Sequence, residues 1–142
     1  MKKIILLFFV TAFYSLSFSQ ESEDRWIYVG SYITGKIYVT DVKPSASSEK
    51  SFDFWTKTIN PPKKVKNKKG VWVNKENGHV IYRGTMYCDS KKYQLPSYRE
   101  YNSKGEVISY EEGLTKYYDV FPDSAAEDVL DFVCKDNKEL KD

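Results

Sequence analysis

Ser124-Ala-Ala-Glu-Asp-Val-Leu-Asp-Phe-Val-Cys134 is the stretch on which the fold turns. Pro122 precedes it, Ser124 is a helix N-cap residue, and Glu127 stands three positions on, which makes an S-x-x-E capping box. Asp123, Glu127 and Asp128 put negative charge at the positive end of the helix dipole. Ala126, Val129, Leu130, Val133 and Cys134 recur at helical spacing, so Cys134 shares the apolar stripe and points toward whatever the helix covers. The chain has two cysteines, and the other closes Val80-Ile-Tyr-Arg-Gly-Thr-Met-Tyr-Cys88. There Val80, Tyr82, Gly84, Met86 and Cys88 alternate onto one face of a strand, which again places the thiol with the apolar set.

Whether two such thiols join depends on compartment, and the N-terminus addresses that. Lys2 and Lys3 precede an apolar run from Ile4 to Phe13, and Ser17 and Ser19 supply small residues before Gln20. These are the three parts of a secretory signal, so residues 1–19 read as a cleaved signal peptide and 20–142 as a single domain. The apolar run is short against the roughly 30 Å of bilayer hydrocarbon, which disfavours an anchor helix. No cysteine lies near the cut, so a free periplasmic or secreted protein is expected, with no lipid anchor. Export makes an isolated even pair of cysteines a structural disulfide between Cys88 and Cys134. A metal site would need more ligands than the single His79 offers, and redox work favours a C-x-x-C spacing, so no metal and no cofactor are expected.

The whole chain carries 22 basic and 20 acidic residues, and losing Lys2 and Lys3 with the signal leaves the mature chain formally neutral. Such a balance gives no global steering toward nucleic acid, so no nucleic-acid partner is expected.

Strand signals fill the first two-thirds. Arg25-Trp-Ile-Tyr-Val29 and Lys36-Ile-Tyr-Val-Thr40 read as a hairpin joined by the glycine-containing loop 30–35. Residues 42–50 are rich in proline and serine and read as a connection. In Ser51-Phe-Asp-Phe-Trp-Thr-Lys-Thr-Ile59, Phe52 and Phe54 take one face while Trp55 and Ile59 take the other, so cover on both faces is expected. The prolines in Asn60-Pro-Pro-Lys-Lys-Val-Lys-Asn-Lys-Lys-Gly70 exclude a central strand there, and a mobile loop is expected. Tyr93 to Tyr101 is extended despite Pro96, and Val107 to Tyr110 pairs back after the turn 102–105. The fold class is α+β: one antiparallel sheet of about six strands, with a C-terminal helix packed on one face and tethered there by the disulfide.

The ordered set of Trp26, Phe54-Trp55, Met86-Tyr-Cys-Asp89, the turn 101–105 and Pro122-Asp-Ser-Ala-Ala-Glu127 running to Val133-Cys134 resembles the surface-adhesin protein E family of Gram-negative bacteria. The resemblance spans roughly residues 24–135 and rests on the two cysteines in their context. It implies a sheet with a disulfide-tethered helix, and adhesion through binding of an extracellular matrix protein; an anionic glycan is the partner that the lysine run below would suit. The alternative is a periplasmic accessory or stress-related structural protein with no external ligand. Oligomeric state is left open.

Lys57, Lys63, Lys64, Lys66, Lys68 and Lys69 fall within 13 positions that hold no acid, and are the candidate ligand-binding residues. Their plain alternative is a solvated loop that keeps the protein soluble. No catalytic residues are assigned. His79 reads as a lone exposed histidine in a turn beside Gly78, and Glu111 and Glu112 point to opposite faces of a strand, so neither supports acid–base work. The chain is therefore read as no enzyme.

Overall fold

The structure is a computed structural model that describes residues 25–46 and 50–135; the signal segment at 1–19 lies outside the described residues. Among the described residues nine strands precede one helix: β1 Ile27–Tyr32, β2 Gly35–Pro44, β3 Ser51–Ile59, β4 Lys63–Lys66, β5 Trp72–Lys75, β6 His79–Tyr87, β7 Lys92–Tyr101, β8 Val107–Glu112, β9 Tyr117–Asp119 and α1 Ala125–Cys134. The main sheet has seven strands in the order β1-β2-β3-β6-β7-β8, with β9 on the other half of β7. All of its pairings are antiparallel. β4 and β5 form a separate two-stranded ribbon inserted between β3 and β6. The expected single sheet of about six strands thus becomes seven plus two: Tyr117–Asp119 adds the seventh by pairing with β7, and the lysine-rich stretch pairs with Trp72–Lys75 to make the ribbon.

Strand lengths differ at several ends for local reasons. β1 runs to Tyr32 and pairs with Gly35, leaving only Ile33 and Thr34 in the turn. Gly35 sits at φ 133° with the Ile59 carbonyl where a Cβ would go, so no other residue fits without displacement. β2 continues to Pro44 through what reads as a connection, because Asp41 adopts a φ of 52° and Asp41 and Val42 together oppose Phe54 in a bulge. Pro96 is accommodated in β7 by a second bulge, where Leu95 and Pro96 together oppose Gly84.

These two bulges flank one row of the sheet. Phe54 in β3 pairs directly with Gly84 in β6, so their α-substituents share a face. A Cβ on Gly84 would lie 2.5 Å from Phe54 Cζ, which means that the ring lies flat over the glycine. With a bulge on either side, the row Asp41-Val42, Phe54, Gly84, Leu95-Pro96 is a crease along which the sheet curls.

The helix seals the inside of the curl. α1 lies against β1, β2, β3 and β6, and its Val129, Leu130 and Val133 join Ile37, Val39, Phe54 and Met86 in the buried core. The capping box forms with one change: Ser124 Oγ accepts from the Glu127 N–H at 3.3 Å, while Glu127 Oε2 accepts from Asp123 N–H, not from Ser124. Cys88 and Cys134 are joined, with their Cα atoms 5.8 Å apart, and close a loop of 46 positions. In the chain-entropy model a loop of that length stabilises the fold by about 4 kcal/mol. At the opposite edge the Tyr32 hydroxyl donates to Asp128 Oδ2, so α1 is held by a covalent bond to Cys88, the residue after β6, and to β1 by a charge-assisted hydrogen bond. That hydrogen bond, with burial and the Asp128 charge, pushes the Tyr32 phenol up from 10.0 to about 12.

Substituting Gly84→Ala must displace the Phe54 ring, so urea denaturation should show a loss of about 1–3 kcal/mol, and Phe54→Leu in the same chain should recover part of it non-additively. Tyr32 gives a second expectation. Its folded pKa lies above its unfolded one, so its contribution is complete below pH 10 and is lost as pH rises toward 12. Chemical denaturation across that window should show stability falling in the native chain and a flatter profile in Tyr32→Phe.

Candidate functional site

Two surfaces gather polar and aromatic side chains: the β4–β5 ribbon, and the face of the main sheet opposite α1.

The ribbon carries most of the predicted lysines. Lys63, Lys64 and Lys66 lie on β4, and Lys68 and Lys69 lie in the turn. That turn is built by Asn67, whose Oδ1 accepts from the N–H groups of Lys69 (2.9 Å) and Val71 (3.0 Å). The expected mobile loop is thus a defined hairpin, because an asparagine closes it and Val65 and Val73 pair across it. Alternation puts Lys64 and Lys66 on one side with their cross-strand partners Asn74 and Trp72. The Lys66 ammonium sits 5.2 Å from the centre of the Trp72 ring, which is 63% exposed. Residues 63–75 include six lysines and no acid. The sixth, Lys75, stands opposite Lys63 on the other side of the ribbon. An exposed hairpin with one sign of charge and a solvent-facing indole has little of its own to bury, and its chemistry suits a polyanion.

Lys57 is not part of this group. It lies on β3 in the main sheet, 5.6 Å from the centre of the Trp26 ring. Arg25 approaches the same ring at 5.7 Å, so the indole is flanked by two cations.

The open face begins there. Trp55, expected to be covered, is 40% exposed, because α1 packs only on the Phe54 side of β3. Trp26, Trp55, Ile81, Arg99, Tyr101 and Glu112 border a groove of about 290 Å³ on this face. Arg99 Nη2 and Glu112 Oε1 are 3.5 Å apart, an exposed pair that tilts both side chains along one wall. Composition pointed to aromatics on strands; the residues missed were those whose even–odd position in β3 and β6 puts them opposite the helix.

A broader cleft of about 610 Å³ lies at the β3–β6 end, bordered by Lys36, Tyr38, Lys57, Asn60, Pro61 and His79 among others. His79 is not in a turn. It opens β6, is half-buried, and stacks on Tyr101 with ring centres 4.7 Å apart. Burial, aided by the Lys57 charge, pushes its pKa down, so it stays neutral further into the acid range than a free imidazole. Other tyrosines pair across strands: Tyr82 with Tyr98 at 5.9 Å, and Tyr93 with Tyr118 at 5.3 Å. Burial raises the pKa of Tyr82 and of Tyr93, as suits rings that pack the sheet. Glu111 and Glu112 do split between the two faces, with Glu112 opposite Ser97 and Glu111 opposite Tyr98. Among the described residues no group of three or more His, Cys, Asp or Glu side chains can hold a metal ion.

Comparison with known proteins gives no matching family model, no matching curated protein and no matching solved structure.

Trp72 and the lysines of β4 are exposed and none of them belongs to the buried core. Trp72→Ala and Lys64→Gln should each change unfolding free energy by no more than about 0.5 kcal/mol, measured by urea denaturation.

Proposed function

We propose that this chain is an exported, non-catalytic binding module of the surface-adhesin E type, and that its ribbon contacts an anionic glycan outside the cell. The observation that carries this is the β4–β5 hairpin, where six lysines and no acid stand on a defined two-stranded scaffold beside the exposed indole of Trp72. A mobile lysine loop would lose much of its contact energy in ordering, whereas a paired ribbon has its backbone already in place. Lysine acts as a point charge without the planar fork of arginine, so the ribbon suits the repeated sulfates or carboxylates of a polymer better than one oriented ligand. The disulfide between Cys88 and Cys134 and the secretory pattern of residues 1–19 support a location in the periplasm or beyond.

Retention on immobilised heparin should fall steeply with added salt, since exposed charge pairs are screened. Changing Lys63, Lys64, Lys66, Lys68 and Lys69 together to glutamine should weaken binding by about fivefold or more, at roughly 0.2–1 kcal/mol per lysine. Undiminished retention of that variant removes the ribbon from the contact, and absence of binding to anionic glycans and matrix proteins alike overturns the adhesive reading.

A further inference from the structure

We infer that the groove on the open sheet face is a saccharide subsite that holds an acidic sugar unit, a uronate, against Trp55. This names the sugar class of the glycan partner and so rests on that reading, yet none of the groove's bordering residues belongs to the ribbon.

Three observations converge. The first is the floor. Trp55 is 40% exposed on a strand whose other face carries the buried Phe54; its partner on β6 is Arg83, Ile81 lies two residues along on the same face, and Tyr101 lies beyond on β7. Flat, half-exposed rings on a rigid sheet match the C–H faces of a pyranose, whose hydroxyls stay hydrated at the rim. The second is the charge of the wall. Arg25 and Arg99 border the groove against the single bordering carboxylate of Glu112, with Arg25 also 3.9 Å from Asp41; Arg83 pairs with Trp55 across β3 and β6, and Asp53 lies two residues along on the same face. Arg99 is already drawn toward Glu112 at 3.5 Å, an exposed contact weak enough to exchange for a ligand carboxylate, which a guanidinium can take with two parallel hydrogen bonds. The third is the backbone. β3, β6 and β7 are paired on both sides along this stretch, so a peptide cannot add here as a strand and would have to bind by side chains alone. At about 290 Å³ the groove sits at the lower edge of small-ligand sites, the scale of one or two sugar rings.

The test is calorimetric titration of the purified protein with uronate-containing tetrasaccharides (hyaluronan, oligogalacturonate and oligomannuronate fragments) beside neutral chitotetraose. At least one acidic tetrasaccharide is expected to bind about tenfold or more tightly than the neutral one. Arg99→Gln should remove that preference while leaving weak neutral binding, and Trp55→Ala should abolish both; Trp55→Phe should restore part of the affinity. The five-lysine ribbon variant should bind the tetrasaccharide like the native chain, so that failure of the ribbon on heparin and failure of the groove are read separately. Absence of binding by every acidic tetrasaccharide, equal binding of acidic and neutral sugars, or binding indifferent to both Arg99→Gln and Trp55→Ala overturns the inference. Circular dichroism of each variant checks folding, and Arg99→Gln alters only an exposed side chain.

Discussion

The structure hinges on one contact, the Phe54 ring lying over Gly84. No side chain other than hydrogen leaves room for the ring at that position. The bulges at Asp41-Val42 and at Leu95-Pro96 fall in the same row, one strand to either side. Together they bend the sheet around an apolar hollow, and Phe54, 2% exposed, is its centre. The rest follows from what must close that hollow. A ten-residue helix with three buried residues is short for the task, since helices of that length are marginal alone. It is therefore fixed at both flanks, by Cys134 to Cys88 and by Asp128 to the Tyr32 hydroxyl.

Closing one face leaves the other open. The side chains of β3 alternate, so Trp55 and Lys57 take the face opposite Phe54, away from α1, and Trp55 is exposed there. The crease thus sets what the protein can present: a rigid sheet face bearing indoles and guanidiniums, and a ribbon of lysines extended from the turn between β3 and β6. In the functional reading above, both surfaces suit sugars with negative charge, one by density of charge and the other by a shaped floor.

Much of this was legible in the residues. Capping at Ser124 and Glu127, the apolar stripe through Val133, and the shared face of Gly84, Met86 and Cys88 are local signals, and the helix and its disulfide followed from them. The crease was not legible, because a bulge is a mismatch between two strands and neither strand shows it alone; Pro96 within an extended segment was a trace of it, while the left-handed Asp41 shows only in the structure. The ribbon was misread for a related reason. Prolines at 61 and 62 rightly excluded a strand of the main sheet, but they say nothing of a hairpin that begins at Lys63 and pairs only with itself. The exposure of Trp55 was missed because alternation shows that two faces differ, and only the placement of α1 shows which face is covered.

The most direct test is the proton NMR spectrum of the native protein, read at the α-protons of Gly84. A ring seated flat over the glycine shields them, so at least one should resonate well upfield of its random-coil position, and Phe54→Leu should return it there. Gly84 α-protons at ordinary β-strand shifts, unchanged by Phe54→Leu, would contradict the crease and with it the division of the sheet into a sealed face and an open one.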